Sequence, residues 1–320
     1  MKKPLVSILM PAYNAEKFIA EAIESIRNQD HENWELLVLD DASSDSTLQI
    51  IKSFSNDRIK LFCNEKNEGY LKSCNRLFSL TSGEFITFLD ADDTCPANRI
   101  STCLAAFKAD SELGFLTTGF ARTDARGLEK SVHTYSIDYA QYANNHNYLP
   151  TICGASLMFR ASCLEHTSGY REVFSKIGGE DYFFIWELSV RTKGEHLTEV
   201  VYNYRTHESQ LTKSNAEPLQ LFMLEILSRL REMFLRNAFD AEIANKILEG
   251  LEREIEDEPV LVQFKLIEKS INANQFKAAT DLWFATLANP WSMYIEKKVI
   301  LAYTIARRWF ITSSRRGAAI

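Results

Sequence analysis

Several patterns that would reveal a protein's class at once are missing from this chain of 320 residues. The predicted strand ends of its first hundred residues carry neither a GxGxxG run nor a GxxxxGK[ST] run, so neither a dinucleotide-binding fold nor a P-loop is supported. No uninterrupted apolar stretch approaches the length of a membrane span. The six cysteines form no CxxC pair and show no metal-ligand spacing, which predicts free thiols in a reducing cytoplasm.

An excess of positive charge is missing as well. The formal net charge is −7, which argues against a protein that binds nucleic acid with its whole surface. Apolar residues make up 46% and charged residues 25%, as in an ordinary globular protein. A chain of this length can hold two domains, or one large domain with an appendage. Its first residues lead directly into a predicted strand rather than into a signal-peptide apolar region.

The first hundred residues alternate between short apolar runs and helical patterns, which predicts β/α repeats. The runs predict strands at 6–10, 34–39, 59–62 and 85–89, and the stripes between them predict helices around 18–26, 48–54 and 71–80. Asn14 is a candidate N-cap of the first helix. The alternation is typical of a mostly parallel sheet that is covered by helices on both faces.

Beyond residue 100 this rhythm loosens. Further elements are predicted as helices at 97–109 and 182–191 and as strands at 115–118 and 155–159. The polar segment 121–150 suits an exposed or mobile stretch because it is rich in Tyr, Asn and His. From about Ser214 the pattern is helical throughout, which predicts a C-terminal helical appendage.

The tetrad Asp90-Ala91-Asp92-Asp93 directly follows the predicted buried strand 85–89. Open α/β sheets bind their ligands at the carboxyl edge of the strands, where these three carboxylates would lie. Carboxylates so close raise one another's pKa unless a cation shares them, and hard oxygen ligands favour Mg²⁺ or Mn²⁺. The alternative is a solvated acidic loop without a ligand. The preceding strand and the neighbouring strand ends favour the metal site.

Two other predicted strand ends should lie beside the tetrad if the sheet is parallel. One carries Tyr13 and Asn14, and the other carries Asp40 and Asp41. A tyrosine can stack on a base, while a carboxylate can accept a hydrogen bond from a uracil-type N–H or a ribose hydroxyl. These residues fit a nucleoside diphosphate that is held through a metal.

Two later clusters carry acid–base and cationic groups. Glu180-Asp181 precedes an aromatic helix, where burial beside a second carboxylate can raise a pKa into the range of a general base. The alternative is N-capping of that helix by Asp181. Arg205 and His207 share one face if the chain is extended, and such a pair suits a departing diphosphate. Their alternative is a solvated, polar strand end.

These motifs, in this order, resemble family 2 of the inverting glycosyltransferases, which have the GT-A fold. The matching segments are 6–14, 39–45, 67–69, 83–93, 180–181 and 204–207. They run over roughly residues 4–212, about two-thirds of the chain. The resemblance implies an α/β protein with a Rossmann-like, mostly parallel sheet between helices. It divides the chain into a nucleotide-sugar-binding half at 1–100, an acceptor-binding half at 101–212 and the helical C-terminal region at 213–320.

The resemblance also implies a role for each matched position. Donor binding is implied for Pro11, Tyr13, Asn14, Asp41, Asn67, Asp90, Arg205 and His207. Pro11, Tyr13 and Asp41 would line the base pocket. Asp90 would face the ribose, while Arg205 and His207 would face the leaving group. Asp92 would hold Mg²⁺ or Mn²⁺ on the diphosphate, and Asp181 would deprotonate the acceptor hydroxyl.

Two positions depart from the family pattern. Ala42 stands where glycine is usual after the paired aspartates. Ser73-Cys74-Asn75 replaces a common Ala-Arg-Asn, so the arginine contact expected there is missing and a diphosphate role for that helix loses its support.

The implied reaction moves a sugar from a nucleoside diphosphate sugar, with UDP favoured, to a hydroxyl of a glycan or lipid-linked acceptor, as in cell-surface polysaccharide synthesis. A single displacement would invert the anomeric centre. Two alternatives stay open. Asp90 to Thr94 satisfies the DxDxT pattern of haloacid-dehalogenase-type phosphatases, although Glu180-Asp181 opens a helix where that family needs an acidic pair after a strand. A non-catalytic module that binds sugar nucleotides is the second.

The C-terminal segment 295–316 combines an apolar helical stripe with six positive charges against one negative charge. Such a segment can lie in an anionic membrane interface, which would place a cytoplasmic protein on the inner face of the cell membrane. The alternative is a helix packed on the catalytic domain or on a second subunit of a homo-oligomer.

Overall fold

The computed structural model describes residues 3–145, 148–167, 169–176 and 178–208, together with Gln210, Leu227 and Arg231. The chain divides into two compact units, Met1–Lys213 and Ser214–Ile320. The features below belong to the first unit. The predicted helical appendage and the charged segment 295–316 lie outside the described residues, and the division of the first 212 residues into donor and acceptor halves stays a prediction.

An eight-stranded mixed sheet forms the centre of the first unit. Its strands are β1 Val6–Ala12, β2 Trp34–Asp40, β3 Ile59–Cys63, β4 Phe85–Phe88, β5 Leu113–Thr123, β6 Glu129–His133, β7 Met158–Arg160 and β8 Lys193–Arg205. They are ordered β3-β2-β1-β4-β7-β5-β6, and β8 pairs with β5 outside this path. The first four strands pair in parallel, whereas β7 runs antiparallel to both β4 and β5.

Helices connect and cover these strands. They are α1 Ile19–Arg27, α2 Thr47–Phe54, α3 Tyr70–Phe78, α4 Arg99–Ala109, α5 Tyr139–Asn144 and α6 Glu180–Arg191, with 3-10 turns at Gly154–Ser156, Ala161–His166 and Glu172–Lys176. All seven residues of β1 and of β2 are buried, as expected for central strands that carry helices on both faces. The predicted α/β class is confirmed. Within the described part, no helix is both long and apolar enough to cross a membrane.

The prediction of Asn14 as an N-cap is wrong. Helix α1 begins at Ile19 with Phe18 in the cap position. Asn14 instead has a positive φ of 49° and its side-chain oxygen accepts a hydrogen bond from the backbone N–H of Ser44. Asparagine tolerates the left-handed region, so the residue serves the loop between β1 and α1 rather than the helix.

The stretch 121–150, predicted to be exposed or mobile, is exposed at many of its described residues, but it also contains regular elements and buried side chains. Strand β5 continues to Thr123, β6 follows, and Tyr139 and Tyr142 of α5 are buried. The Tyr142 hydroxyl donates to the carbonyl of Tyr182 in α6. Counting polar residues misses this because a buried tyrosine is tolerated wherever its hydroxyl finds a partner.

Candidate active site at the carboxyl edge of the sheet

The parallel strands bring the predicted site residues to one edge of the sheet. Ala12 at the end of β1 pairs with Asp40 at the end of β2, and β4 runs parallel on the other side of β1. The chain leaves β4 into the acidic tetrad, so the three strand ends named from the sequence lie side by side. This is the edge where open α/β sheets bind ligands.

Hydrogen bonds join the two loops that follow β1 and β2. The backbone N–H of Asn14 donates to Ser43, and the backbone N–H of Glu16 donates to Asp45. The Glu16 carboxylate in return accepts from the backbone N–H of Ser46. Pro11, near the end of β1, is buried, and the Tyr13 ring is 51% exposed. A fixed loop with an exposed ring suits stacking on a planar ligand.

Asp41 is buried and organises the next loop of the edge. Its carboxylate accepts hydrogen bonds from the side chain of Asn64 at 2.6 Å and from the backbone N–H groups of Glu68 at 2.9 Å and Gly69 at 2.8 Å. These bonds fix the loop that carries Asn67, whose side chain is exposed. The contact of Asp41 with a base, implied by the family resemblance, stays a prediction, because the observed partners are all protein groups.

Asp40 is a residue that the motif assignment passed over. One of its oxygens accepts from the backbone N–H of Ser43, while Oδ1 is buried without a hydrogen-bond partner. An unpaired buried carboxylate oxygen is costly, so this atom is a candidate acceptor for a ligand.

The backbone conformation of Ala42 explains why glycine is usual at this position. Its φ is 59°, in the left-handed region that an alanine adopts only at a cost. The backbone therefore keeps the turn that follows the paired aspartates, even though the side chain is present.

The three carboxylates of the tetrad have different surroundings. Asp93 is buried and accepts from the Tyr202 hydroxyl and from the backbone N–H of Arg205, both at 2.7 Å. Asp90 accepts from the Tyr70 hydroxyl at 3.1 Å. Asp92 keeps 31% of its side chain exposed, and its Oδ2 lies 2.8 Å from Nε2 of His207. Asp92 is therefore a partly exposed carboxylate that a ligand could reach, whereas Asp93 is buried and hydrogen-bonded within the protein.

Burial and mutual repulsion raise the pKa values within the tetrad. Burial, and then the charge of Asp92, raises the pKa of Asp90 to about 7, and the more distant Asp181 adds to the shift. Burial, followed by the charges of Asp90 and Asp92, also raises the pKa of Asp93. A ligand that brings positive charge to this edge would relieve the repulsion.

The guanidinium of Arg205 is engaged by the protein. Nε donates to the carbonyl of Asp92, Nη1 to that of Ala125, and Nη2 to the carboxylate of Glu21, at 2.7, 3.1 and 2.7 Å. The residue is 3% exposed. Sequence reasoning placed Arg205 and His207 together correctly, and both converge on Asp92. Their contact with a leaving group stays a prediction, and Arg205 now has an evident structural function as well.

Asp181 lies at the start of α6, one residue inside the helix. The N-cap is Gly179, so the alternative of N-capping by Asp181 is not what the structure shows. The Asp181 carboxylate accepts from the backbone N–H groups of Tyr182 and Gly154. Gly154 lies so close that a Cβ at this position would be 2.2 Å from Oδ2 of Asp181. Backbone from the 3-10 turn thus packs directly against the carboxylate.

Glu180 and Asp181 both hold their protons more tightly than ordinary carboxyl groups. Burial raises the pKa of Asp181 to about 6. Burial, and then the charge of Asp181, raises the pKa of Glu180 to about 8. Burial and mutual repulsion thus raise the pKa values of this pair toward the neutral range, where a carboxylate can act as a base.

Three groups around the tetrad could not be assigned from the sequence. Tyr70 and Tyr202 donate to the acidic loop, and Arg99 is buried with its guanidinium 4.8 Å from the centre of the Tyr202 ring. Arg99 lowers the pKa of Asp90, but burial and the charge of Asp92 raise it more. Cys74, where the family pattern has arginine, is fully buried. Arg99 of α4 is thus a buried cation at a position that no motif indicated, and its guanidinium donates to Thr87 and to the carbonyl of Ala155.

Comparison with known proteins decides which family this site belongs to. Residues 7–167, half of the chain, match the sequence model of Glycosyl transferase family 2. The chain belongs to this family. EpsE of Bacillus subtilis, a glycosyltransferase by assignment, is 32% identical over 206 residues, which are 63% of this chain and 73% of EpsE. The Escherichia coli enzyme WfgD is 49% identical over 96 residues, 30% of this chain and 38% of WfgD.

Solved structures of other proteins show the same fold. TarS of S. aureus, in the structure of its residues 1–349, superposes with a TM-score of 0.63 at 21% sequence identity. The match covers 98% of this glycosyltransferase and 92% of the TarS chain. The GT-A fold expected from the motifs is confirmed, and the assignment to family 2 removes the phosphatase alternative.

Proposed function

We propose that this glycosyltransferase transfers a sugar from a UDP-sugar to a hydroxyl group of a glycan or lipid-linked acceptor during cell-surface polysaccharide synthesis. The observation that carries the proposal is the convergence of Asp90, Asp92 and Asp181 at one edge of the sheet, close enough for Asp181 to raise the pKa of Asp90. The carboxylates of the tetrad can thus hold a diphosphate through a cation, and Asp181 can take the proton of an acceptor.

The names of related proteins support the choice of donor and acceptor. WfgD is a UDP-Glc:alpha-D-GlcNAc-diphosphoundecaprenol beta-1,3-glucosyltransferase, which joins a UDP-sugar to a lipid-linked acceptor. TarS has been crystallised with UDP-GlcNAc. Both names include a uridine nucleotide, so UDP is the nucleotide that we assign to the strand ends beside Tyr13.

The residues present fit a divalent cation that is shared with the donor. No group of three or more His, Cys, Asp or Glu side chains in the described chain could hold a metal by itself. Mg²⁺ and Mn²⁺ need fewer protein ligands when phosphate oxygens complete their shell, and the partly exposed Asp92 provides one such carboxylate. PcManGT, whose structure contains GDP-Man and Mn²⁺, has the same fold with a TM-score of 0.53 at 18% identity. When bound, the cation would neutralise negative charge on the departing diphosphate.

The other residues position and deprotonate the reactants. Tyr13 stacks on the base, and Asp41 keeps the loop of Asn67 in place around the nucleotide. His207 orients Asp92 through the 2.8 Å contact between Nε2 and Oδ2. Asp181 takes the proton of the acceptor hydroxyl as it attacks the anomeric carbon from the face opposite the diphosphate. A single displacement of this kind inverts the anomeric centre.

The experiment that tests the catalytic assignment separates transfer from donor binding. Asp181→Asn keeps the shape of the side chain and removes the base, so we expect the turnover number to fall by roughly 10²–10⁴-fold. The affinity for UDP, measured by calorimetry with Mn²⁺, should stay unchanged. Glu180→Gln is the matched control, since it makes the same chemical change at the other carboxyl group of the pair. If Asp181→Asn is fully active and Glu180→Gln is inactive, Glu180 is the base instead.

The same experiment tests the remaining alternative, a module that binds sugar nucleotides without turnover. Such a module would bind UDP with Mn²⁺ as well as the enzyme does, but the native chain would release no UDP from a UDP-sugar. The native chain and Asp181→Asn would then both bind UDP, and neither would show turnover.

A further inference from the structure

Strand β4 is buried along its whole length, yet it carries one polar side chain, Thr87, which is 1% exposed. Its hydroxyl donates to the carbonyl of Leu157 at 2.7 Å and accepts from Nη2 of Arg99 at 2.9 Å. Thr87 has no part in the proposed reaction so far. A buried hydroxyl is tolerated in a central strand only when it is hydrogen-bonded, so its partners indicate what it does.

Arg99, the first residue of α4, is also 1% exposed. Besides Thr87, its Nη2 contacts the carbonyl of Ala155 at 3.0 Å. Nε and Nη1 are buried without a hydrogen-bond partner among the described residues. A buried guanidinium with unpaired nitrogens lowers the free energy of unfolding, so stability alone does not account for this arginine.

Both side chains hold the same short segment. Ala155 lies in the 3-10 turn Gly154–Ser156, and Leu157 is the residue that follows this turn. The carbonyl of Ala155 is bonded by Arg99 and that of Leu157 by Thr87, so the turn is tied to helix α4 and to strand β4. Bonds from two regular elements fix a turn in position. We call this pair of residues the Thr87–Arg99 clamp.

The turn contacts the candidate general base. The backbone N–H of Gly154 donates to the Asp181 carboxylate. The contact is so close that a Cβ on Gly154 would lie 2.2 Å from Oδ2 of Asp181. Because backbone and carboxylate touch, a displacement of the turn displaces the carboxylate or breaks its hydrogen bond.

We propose that Thr87 and Arg99 are positioning residues for the general base: the clamp holds the turn Gly154–Ser156, and the turn holds the carboxylate of Asp181 toward the acceptor. Both side chains act through the turn and not by contact with a reactant. The inference rests on the proposed function, because it assumes that Asp181 takes the proton of an acceptor hydroxyl. It adds the residues that keep this carboxylate in its reactive geometry, and it predicts that their loss lowers turnover without changing the binding of UDP.

The test removes the hydroxyl of Thr87 from the full-length chain. Thr87→Val keeps the shape of the side chain and breaks both bonds of the hydroxyl, whereas Thr87→Ser retains the hydroxyl. We expect kcat for UDP release from UDP-glucose or UDP-GlcNAc to fall about tenfold in Thr87→Val, since a displacement of about 1 Å can cost about 100-fold in rate. Thr87→Ser should restore kcat. The affinity for UDP with Mn²⁺, measured by calorimetry, should be the same in the native chain and both variants.

Ser7→Ala is the matched control. Ser7 is a buried residue of β1 whose hydroxyl also bonds a charged side chain and the backbone. It donates to Glu35 at 2.6 Å and accepts from the backbone N–H of Gly83 at 2.9 Å. Ser7 lies near the start of β1, whereas the candidate site lies at the carboxyl end of this strand. We therefore expect Ser7→Ala to lower the thermal midpoint, as Thr87→Val does, and to keep native turnover.

A double variant shows whether Thr87 acts through the turn. Gly154→Ala displaces the same carboxylate directly. If both residues act on one turn, the loss of kcat in the double variant Gly154→Ala with Thr87→Val is clearly smaller than the product of the two single losses. Losses that multiply would show that Thr87 acts elsewhere and would overturn the proposal.

Native turnover in a folded Thr87→Val variant also overturns it, as does an equal loss of kcat in Thr87→Ser or Ser7→Ala, or an affinity for UDP that falls with the rate. If Thr87→Val does not fold, Arg99→Lys takes its place with the same expectations, because it keeps the buried charge and loses the fork of the guanidinium. If neither variant folds, the clamp serves the whole fold and the proposal is wrong. A native chain that binds UDP but releases none from UDP-sugars overturns the proposed function together with this inference. Native release with an unaffected Thr87→Val variant overturns the inference alone.

Discussion

Asp181 owes its predicted reactivity to its surroundings. Burial at the start of α6 raises its pKa to about 6, from an ordinary value of 3.8. A general base works only when it is deprotonated, so a raised pKa moves the loss of activity upward into the mildly acidic range. Burying a carboxylate costs free energy of folding, so a buried carboxylate such as Asp181 is a candidate for a function.

The pH dependence of the reaction follows from this shift. We expect kcat/KM to be constant above about pH 7 and to fall about tenfold per pH unit well below 6, as Asp181 becomes protonated. The measurement is the initial rate of UDP release between pH 5 and 8, with UDP affinity determined at each pH. A rate that stays constant down to pH 5 would show that Asp181 is not the base.

Single residues also mark the limit of what the sequence could reveal. Asp92, Asp181 and His207 were predicted at the site because charged groups at strand and helix ends are visible in the sequence. The hydrogen bonds of Asp41 to the loop of Asn67 were not, since they join residues that are distant along the chain. Arg99 escaped notice because a lone arginine at the start of a helix normally indicates solvent rather than a buried partner.

At the level of elements, the strands were the easiest part to predict. Continuous apolar runs with polar ends identified β1 to β4 within a residue or two, since a parallel strand buried on both faces leaves no other pattern. The predicted strand 155–159 is shorter in the structure, because Gly154–Ser156 forms a 3-10 turn before β7. That turn is what brings the backbone of Gly154 against Asp181, a contact that apolar periodicity does not encode.

The contact between this turn and α6 yields a direct prediction. A methyl group added at Gly154 would overlap the Asp181 carboxylate, so Gly154→Ala should displace the base rather than the donor site. A displacement of about 1 Å can cost about 100-fold in rate. We expect a loss of this order in turnover, with UDP affinity retained. Thermal unfolding of the variant is the control, and an active Gly154→Ala enzyme would mean that the Asp181 position is not critical.

For the described unit taken together, the acidic edge imposes a dependence of stability on pH. The pKa values of Asp90, Asp181 and Glu180 are raised to about 7, 6 and 8, so the folded state binds more protons than the unfolded state between about pH 4 and 8. Stability should therefore decrease as pH rises through this window. The lowered pKa of His196, also due to burial, has the opposite sign, but it is one group against these three and Asp93, whose pKa is raised as well. Glu35, whose pKa is lowered to about 2, contributes constantly above pH 5.

This leads to a prediction about ligand removal. The thermal midpoint of the full chain in a chelator should be lower at pH 8 than at pH 6, and Mn²⁺ with UDP should raise it more at pH 8. The reason is that a cation at Asp92 relieves the repulsion that grows as the neighbouring carboxyl groups ionise. Differential scanning fluorimetry at the two pH values provides the measurement. An equal effect of Mn²⁺ and UDP at both would show that the cation does not act on this cluster.

The central claim is that the carboxyl edge of the sheet carries out a single displacement on a UDP-sugar. The most direct measurement follows the anomeric configuration of the sugar released from a UDP-α-sugar in water by real-time NMR, with water as the acceptor. The account predicts that the β-anomer appears first and that Asp181→Asn abolishes its formation while UDP still binds. Release of the α-anomer first, or of no sugar at all from the UDP-sugars that the chain binds, would contradict it.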